Sequence, residues 1–385
     1  MLVVADSKIP MAREAFAEFG DVATPETPEI SAVAARPADI LLVRSETPVG
    51  RELLEGSKVR FVGSATIGTD HVDMDWLRRA GVGFSAAPAS NADSVKEYVI
   101  AALLKLAVDG GFELAGKTLG VVGAGNIGGR VAAAARALGL KPLLNDPPLA
   151  RAIGGSGFLP LDELMAADFV TLHVPLQRGR DNTFHLFDRA RISRLKPGAV
   201  LINTSRGPVV DNLALKESLR AGRLGGAVLD VWEGEPEIDA ELAAMVDVGT
   251  SHIAGYSLDG KVRGTLMLYQ AACRHFKRSP RWDGLRELPP PEITEIVLDR
   301  AAPRPDAGGV EEVLHGIVRS CYDIAADHAR LRGIFSSPAG RRSALFRQLR
   351  QSYPVRREFS ATRVTGSESW TALAERLAGI GFAKG

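Results

Sequence analysis

Three side chains in the middle of this chain have complementary chemistry: Arg206 in NTSRGPVVD, Glu235 in LDVWEGEPE and His252 in TSHIAGYS. Oxidising a 2-hydroxy acid at C2 removes a hydroxyl proton as a hydride departs, and imidazole titrates near enough to neutrality to take that proton. His252 is the candidate acid/base. A carboxylate on the other ring nitrogen fixes the tautomer and stabilises the imidazolium, a part that falls to Glu235. A planar, permanently charged donor suits the substrate carboxylate and the developing carbonyl better than an ammonium does, and Arg206 supplies one. Each residue alone fits an ordinary use as surface cation, loop carboxylate or buried histidine. The assignment rests on the three together.

The hydride needs an acceptor, and the sequence offers a place for one. Gly123, Gly125 and Gly128 form G-x-G-x-x-G between the apolar run TLGVV and the helical pattern NIGGRVAAAARALG. The first glycine permits a tight turn, the second lets the backbone approach a pyrophosphate, and the third lets the helix pack closely on the strand. The amides near Asn126 and Ile127, at the positive end of the helix, then face the pyrophosphate. Asp146 follows Gly128 by 18 residues, at the end of the next apolar run, where an acid accepts hydrogen bonds from ribose hydroxyls. This points to NAD, because the carboxylate would repel the extra phosphate of NADP. The plainer use of Asp146 is as a turn residue before Pro147 and Pro148.

The elements that position these residues are an alternation of short apolar runs and helical patterns. LVVA, ILLV, VRFVGSA and VGFSAA read as strands of a first βα series, followed by a long apolar helix from SNADSV to the Gly110 and Gly111 break, read as an interdomain connector. A second series runs through TLGVVG, PLLND, DFVTLHV, AVLINTS and GGAVLDV, with helices near LDELMAA, DRARISRL and NLALKESLRAG. The expected fold is α/β, with two doubly wound parallel-sheet domains around a cleft. Residues 1–95, completed by 255–280, form the substrate-binding domain, and 96–254 the Rossmann-type domain. After the proline-rich RSPRWDGLRELPPPE, strand-like EITEIVL and VRREFSATRV alternate with helical patterns over residues 281–385, a small α+β module.

Composition narrows the function classes. The 385 residues are 45% hydrophobic and 24% charged, an ordinary globular mixture long enough for more than one core. Lys plus Arg total 47 against 46 for Asp plus Glu, a net charge of +1 that steers the whole molecule toward neither nucleic acid nor an anionic membrane. Cys273 and Cys321 lack metal-site or redox spacing, so no metal is expected. The start, MLVVADSKIP, has no secretory pattern, and the apolar helix is too short to span a bilayer; a cytoplasmic location is expected.

The GAGNIG turn, INTSRGPVVD, LDVWEGEPE and the histidine after them resemble the D-isomer-specific 2-hydroxyacid dehydrogenases in order and spacing over roughly residues 40–275. The resemblance implies NAD on the second domain and the Arg206, Glu235 and His252 roles given above. It also implies Asp230 at the nicotinamide carboxamide, with Thr204, Val174 and Gly255 near the cofactor. Within the family, SATIGTDHVD, SHIAGYSLDGKVRG, YDIAADHARLR and LRQSYPVRREFS are similar to the branch that oxidises 4-phospho-D-erythronate in vitamin B6 biosynthesis. That likeness implies Ser45, Thr66 and Tyr256 as substrate contacts and a homodimer formed through the C-terminal module. Hydroxyls suit a polyol phosphate, since substrate hydroxyls left unpaired are costly to bury.

Between Arg330 and Arg363 nine arginines face one acid, Glu358. A solvated helix face with ion pairs explains such a run, and the alternative is that one of them, or Lys261 with Arg263, reaches the substrate phosphate. Two rival functions remain at this stage: a dehydrogenase of another 2-hydroxy acid such as phosphoglycerate, and an NAD-sensing interaction protein on the same fold.

Overall fold

The computed structural model describes residues 1–179, 181–301 and 309–385. The chain divides into two compact units, residues 1–91 with 257–289, and residues 92–256 with 290–385.

The first unit is built on five parallel strands in the order β2-β1-β3-β4-β5: β1 Leu2–Ala5, β2 Asp21–Ala23, β3 Ile40–Val43, β4 Phe61–Ser64 and β5 Gly83–Ala86. Runs such as ILLV are apolar throughout because both faces of a parallel sheet are covered. Alternation assigns the faces: Val3, Ala5, Ile40, Leu42 and Phe61 pack on one side with Leu268, Tyr269 and Ala272 of the Leu258–His275 helix. Val4, Leu41, Val43 and Val62 point the other way, onto Leu53, Leu54 and Leu77.

The second unit carries six parallel strands in the order β11-β10-β9-β8-β6-β7. They are β6 Thr118–Val122, β7 Lys141–Asn145, β8 Phe169–Leu172, β9 Val200–Asn203, β10 Gly226–Leu229 and β11 Val248–Gly249. Leu119, Val121, Phe169, Ile202 and Val228 face the Ala92–Gly110 and Asn126–Ala137 helices; Val122, Val170, Leu172, Leu201 and Leu229 face the opposite layer. The Ala92–Gly110 helix is buried nearly all round, as its uniform apolarity requires.

The C-terminal residues add helices and a three-stranded parallel sheet, β12 Glu295–Val297, β13 Arg363–Thr365 and β14 Ala383–Lys384, in the order β12-β13-β14. Leu314, Ile317, Phe359 and Leu377 share one apolar core with the Ala92–Gly110 helix, which is why residues 290–385 belong to this unit. Several elements are shorter than their patterns indicate. EITEIVL keeps its strand only at Glu295–Val297 and turns helical at Leu298; LDELMAA winds as a 3-10 helix. VRREFSATRV enters the sheet only with its last two residues, in the strand Arg363–Thr365, because the Phe359 N–H goes to the Glu97 carboxylate instead of a neighbouring strand.

Asp168 ties β6 to β8 at their amino ends. Its carboxylate accepts from Thr118 N and Thr118 Oγ1, both at 2.8 Å, and from Lys196 Nζ at 2.6 Å. Burial alone would raise this carboxyl, but Lys196 and the Thr118 donors outweigh it and hold it down to about 2. A depressed carboxyl stabilises the fold above its ordinary value near 3.8 and loses that contribution as pH falls through about 2. Asp168→Asn should therefore cost about 1–2 kcal/mol at pH 7, with the gap to wild type shrinking as urea melts are taken from pH 4 downward. Equal stability at pH 7 would show that the clamp contributes nothing.

Candidate active site

Because all six strands of the second unit are parallel, their carboxyl ends share one edge, where an open α/β sheet binds ligands. Read along that edge from β11 to β7, the chain presents His252, then Asp230 and Glu235, then Thr204 and Arg206, then Val174, the glycine turn, and Asp146. Topology alone thus puts the three catalytic candidates on one half of the edge, together with Asp230, Thr204 and Gly255, and Val174, the glycine turn and Asp146 on the other.

The glycine turn has the shape a dinucleotide needs. Gly123 adopts a left-handed φ of +86°, and a Cβ there would stand 2.7 Å from the His173 carbonyl oxygen and 2.9 Å from Val174 Cγ1. A Cβ on Gly128 would collide with the Gly123 carbonyl, whereas Gly125 is exposed with nothing near its missing side chain. The surface over Gly125, Asn126 and Ile127, at the N-terminus of the Asn126–Ala137 helix, is open to a phosphate. Asp146 caps the next helix through Leu149 N at 2.9 Å and also accepts from Ala124 N of the turn at 3.0 Å. Its structural use as a turn residue and its place beside the turn therefore coexist. Thr204 Oγ1 lies 3.3 Å from Nδ1 of His173, whose burial pushes it down to about 3 and keeps the ring neutral.

His252 Nδ1 lies 2.5 Å from Glu235 Oε1. Burial would raise the Glu235 carboxyl, but the His252 bond and charge, the Trp232 N–H and the nearby Arg350 charge outweigh it, and the group sits below the ordinary glutamate range. The backbone at His252 is left-handed, with φ of +58°, a conformation that persists in a non-glycine residue only where its surroundings impose it. Asp230 imposes it: His252 N donates to its carbonyl at 2.8 Å, Ile253 N to Oδ1 at 2.7 Å and Ala254 N to Oδ2 at 3.0 Å. Thr250 Oγ1 donates to the same carboxylate at 2.6 Å and pairs with Tyr98 OH at 2.8 Å. Burial pushes the Asp230 carboxyl up, opposed by the His252 charge and these donors. Gly255 lies within the same turn, which closes with Tyr256 N donating to Ile253 O at 2.8 Å.

Arg206 begins a short 3-10 turn, Gly207–Val209, that packs directly on the Glu235 loop: a Cβ on Gly207 would collide with the Trp232 carbonyl. Asn203 Nδ2 holds the Arg206 carbonyl at 3.0 Å. Ser45 and Thr66 belong to the other unit, where they follow β3 and β4 at the carboxyl edge of its sheet. Ser45 is exposed; Thr66 Oγ1 donates to Gly68 O at 2.9 Å and lies 2.7 Å from Ser64 Oγ, itself 2.9 Å from His71 Nε2. Also in that unit, burial and the neighbouring Arg44 charge lower Lys261 to about 8, while Arg263 donates to Ser90 O at 2.6 Å.

Much of the C-terminal arginine run is used within the protein. Arg330 pairs with Asp327, Arg332 and Arg342 bond carbonyls of Ala243 and Ser337, and Arg356 pairs with Glu97. Tyr98, Thr250 and Glu97 play no part in the sequence reading. Tyr98 and Glu97 sit inside an apolar helix; the only local signal for Thr250 is a hydroxyl two residues before His252.

A pyrophosphate-ready turn and a carboxylate-oriented imidazole on one edge of a doubly wound sheet define an NAD-dependent dehydrogenase of 2-hydroxy acids. The profile described as "D-isomer specific 2-hydroxyacid dehydrogenase, NAD binding domain" matches residues 93–254, and one described as "Domain of unknown function (DUF3410)" matches residues 288–381. The chain is 47% identical to an erythronate-4-phosphate dehydrogenase of Chromohalobacter salexigens, over 99% of this chain and 98% of that protein. It is 49% identical to one of Salinibacter ruber, over 95% and 94%. A solved D-lactate dehydrogenase of Aquifex aeolicus, complexed with NAD and lactic acid, is 27% identical with a TM-score of 0.59, covering 72% of this chain and 96% of that one. The chain belongs to the D-isomer-specific 2-hydroxyacid dehydrogenase family, and NAD is its cofactor. Among the described residues no helix is long and apolar enough to cross a membrane.

Proposed function

We propose that this enzyme oxidises 4-phospho-D-erythronate at C2 to 2-oxo-3-hydroxy-4-phosphobutanoate, a step of vitamin B6 biosynthesis. The observation that carries the proposal is the His252–Glu235 bond, formed on the sheet edge that also presents Arg206 and the glycine turn. Near-full-length similarity to proteins named for this substrate supports the choice of acid.

With Glu235 ionised against Nδ1, the imidazole proton sits on that nitrogen and Nε2 is left to accept the C2 hydroxyl proton. As the proton arrives the ring becomes cationic, and the Glu235 carboxylate stabilises it. Arg206 offers its guanidinium to the substrate carboxylate and to the carbonyl forming at C2. NAD, when bound, accepts the hydride that leaves C2. Ser45, Thr66 and Tyr256 supply hydroxyls for the remaining substrate oxygens, which gives a polyol selectivity over an alkyl side chain. Asp230 keeps the His252 loop in place and meets the nicotinamide carboxamide, with Thr204, Val174 and Gly255 along the cofactor.

For the phosphate, Lys261 and Arg44 are the cations best suited, since two neighbouring positive charges, one of them half-buried, favour an anion between them. We place the enzyme in the cytoplasm with its metabolite substrate, as a homodimer through the C-terminal domain; Val310 and Val355 are exposed apolar residues there. Sedimentation should give twice the chain mass, and a monomer at all concentrations would dismiss the dimer.

Wild-type protein should reduce NAD with 4-phospho-D-erythronate, and His252→Ala should bind NAD normally while losing about 10³-fold or more in kcat. Near-native turnover by the variant would move the acid/base elsewhere. Lys261 is a cation below about 8 and loses its proton above it, so KM for the phosphorylated substrate should rise as pH climbs through that value. Lys261→Met should show a raised KM without that dependence; an unchanged KM profile would take the phosphate away from Lys261.

A further inference from the structure

Arg356 is only 7% exposed, yet its guanidinium reaches two segments far from it in sequence, the Ala92–Gly110 helix and the loop at Tyr256. Nη1 donates to Glu97 Oε2 at 2.6 Å, Nη2 to Ser94 O at 3.4 Å, and Nε to the Tyr256 carbonyl at 3.2 Å. Glu97, 1% exposed, uses its other oxygen to accept from Phe359 N at 2.7 Å. Three residues earlier, the Tyr353 ring meets the Tyr256 ring edge-on, centroids 5.8 Å apart at 84°, with its hydroxyl donating to Asp327 at 2.8 Å.

We propose that the C-terminal domain is part of the active-site scaffold of its own chain, with Arg356 as a positioning residue that fixes Tyr256 and, through it, the loop carrying His252. The grip falls on the one residue of that loop assigned to the substrate: Arg356 holds its carbonyl, and Tyr353 limits where its ring can swing. A lysine keeps the charge but lacks the fork that serves Glu97 and Tyr256 together. An apolar side chain could fill the volume, but it could not fix a carbonyl in direction. This inference rests on the substrate role given to Tyr256 above.

Its test is steady-state kinetics with NAD titrations on full-length Arg356→Lys and Tyr353→Leu, with rates expressed per NAD-binding site so that unfolded protein does not count. KM for 4-phospho-D-erythronate should rise about tenfold in each, with NAD affinity unchanged. A purely structural role would lower the thermal midpoint and leave KM alone, so wild-type KM and kcat in the folded variants would overturn the proposal. Should Arg356→Lys fail to fold, Tyr353→Leu decides the part of the C-terminal domain in the scaffold by the same two outcomes, because it removes the ring contact on Tyr256 and leaves the Glu97 pair intact. Wild-type protein inactive on 4-phospho-D-erythronate would overturn the substrate reading alone; the same KM comparison is then made with the 2-hydroxy acid it does oxidise.

Discussion

An imidazole can take a proton on one side only if its own proton is held on the other, and here that hold is the 2.5 Å contact between His252 Nδ1 and Glu235 Oε1. The partners lie 17 residues apart, on loops that leave adjacent parallel strands, so sheet register sets their approach before any side chain turns. Register alone does not aim the ring. That requires a left-handed residue at 252, and the strain is tolerated because three consecutive N–H groups converge on Asp230. Tyr98 and Thr250 in turn carry the anchoring back into the body of the unit.

This explains which parts could be read from sequence. The glycine turn is local: Gly123 and Gly128 avoid clashes with backbone and side chains nearby in the fold, Gly125 leaves the surface over the turn open, and the strand before it and helix after it announce the context. Arg206, Glu235 and His252 were legible for a related reason, since each lies on the loop that follows an apolar strand and parallel strands must align their carboxyl ends. What stayed hidden are pairs whose members are individually unremarkable. Tyr98 and Thr250 are 152 residues apart, and Arg356 and Glu97 are 259 apart. No periodicity marks a tyrosine or glutamate within VKEYVIAALLKLAV as anything but an interruption of an apolar helix.

The short elements show the same limit from the other direction. Propensity extends a strand through VRREFSATRV, but a strand needs a partner for its N–H groups, and the Phe359 N–H already has one in a carboxylate. A buried acid can thus shorten a strand, and the acid responsible is invisible to any window of sequence around it. Residues 161–166 likewise satisfy the polar pattern of a helix, yet wind as a tighter 3-10 turn between Pro160 and β8.

Burying Glu97 and Arg356 together is a poor way to gain stability, because desolvating both charges offsets most of their attraction and apolar residues of similar volume pack as well. Burial pushes the Glu97 carboxyl up, with Glu358 adding to that effect and the Arg356 charge opposing it. The guanidinium stays charged because its acidic and phenolic neighbours outweigh its own burial. What an ion pair offers that an apolar contact lacks is direction: one planar group with several donors fixes a carboxylate, a helix carbonyl and the Tyr256 carbonyl relative to one another. Such a device is worth its desolvation only where a position matters more than a contact. A loop that must hold an imidazole at one angle and a phenol near the same substrate is a place of that kind.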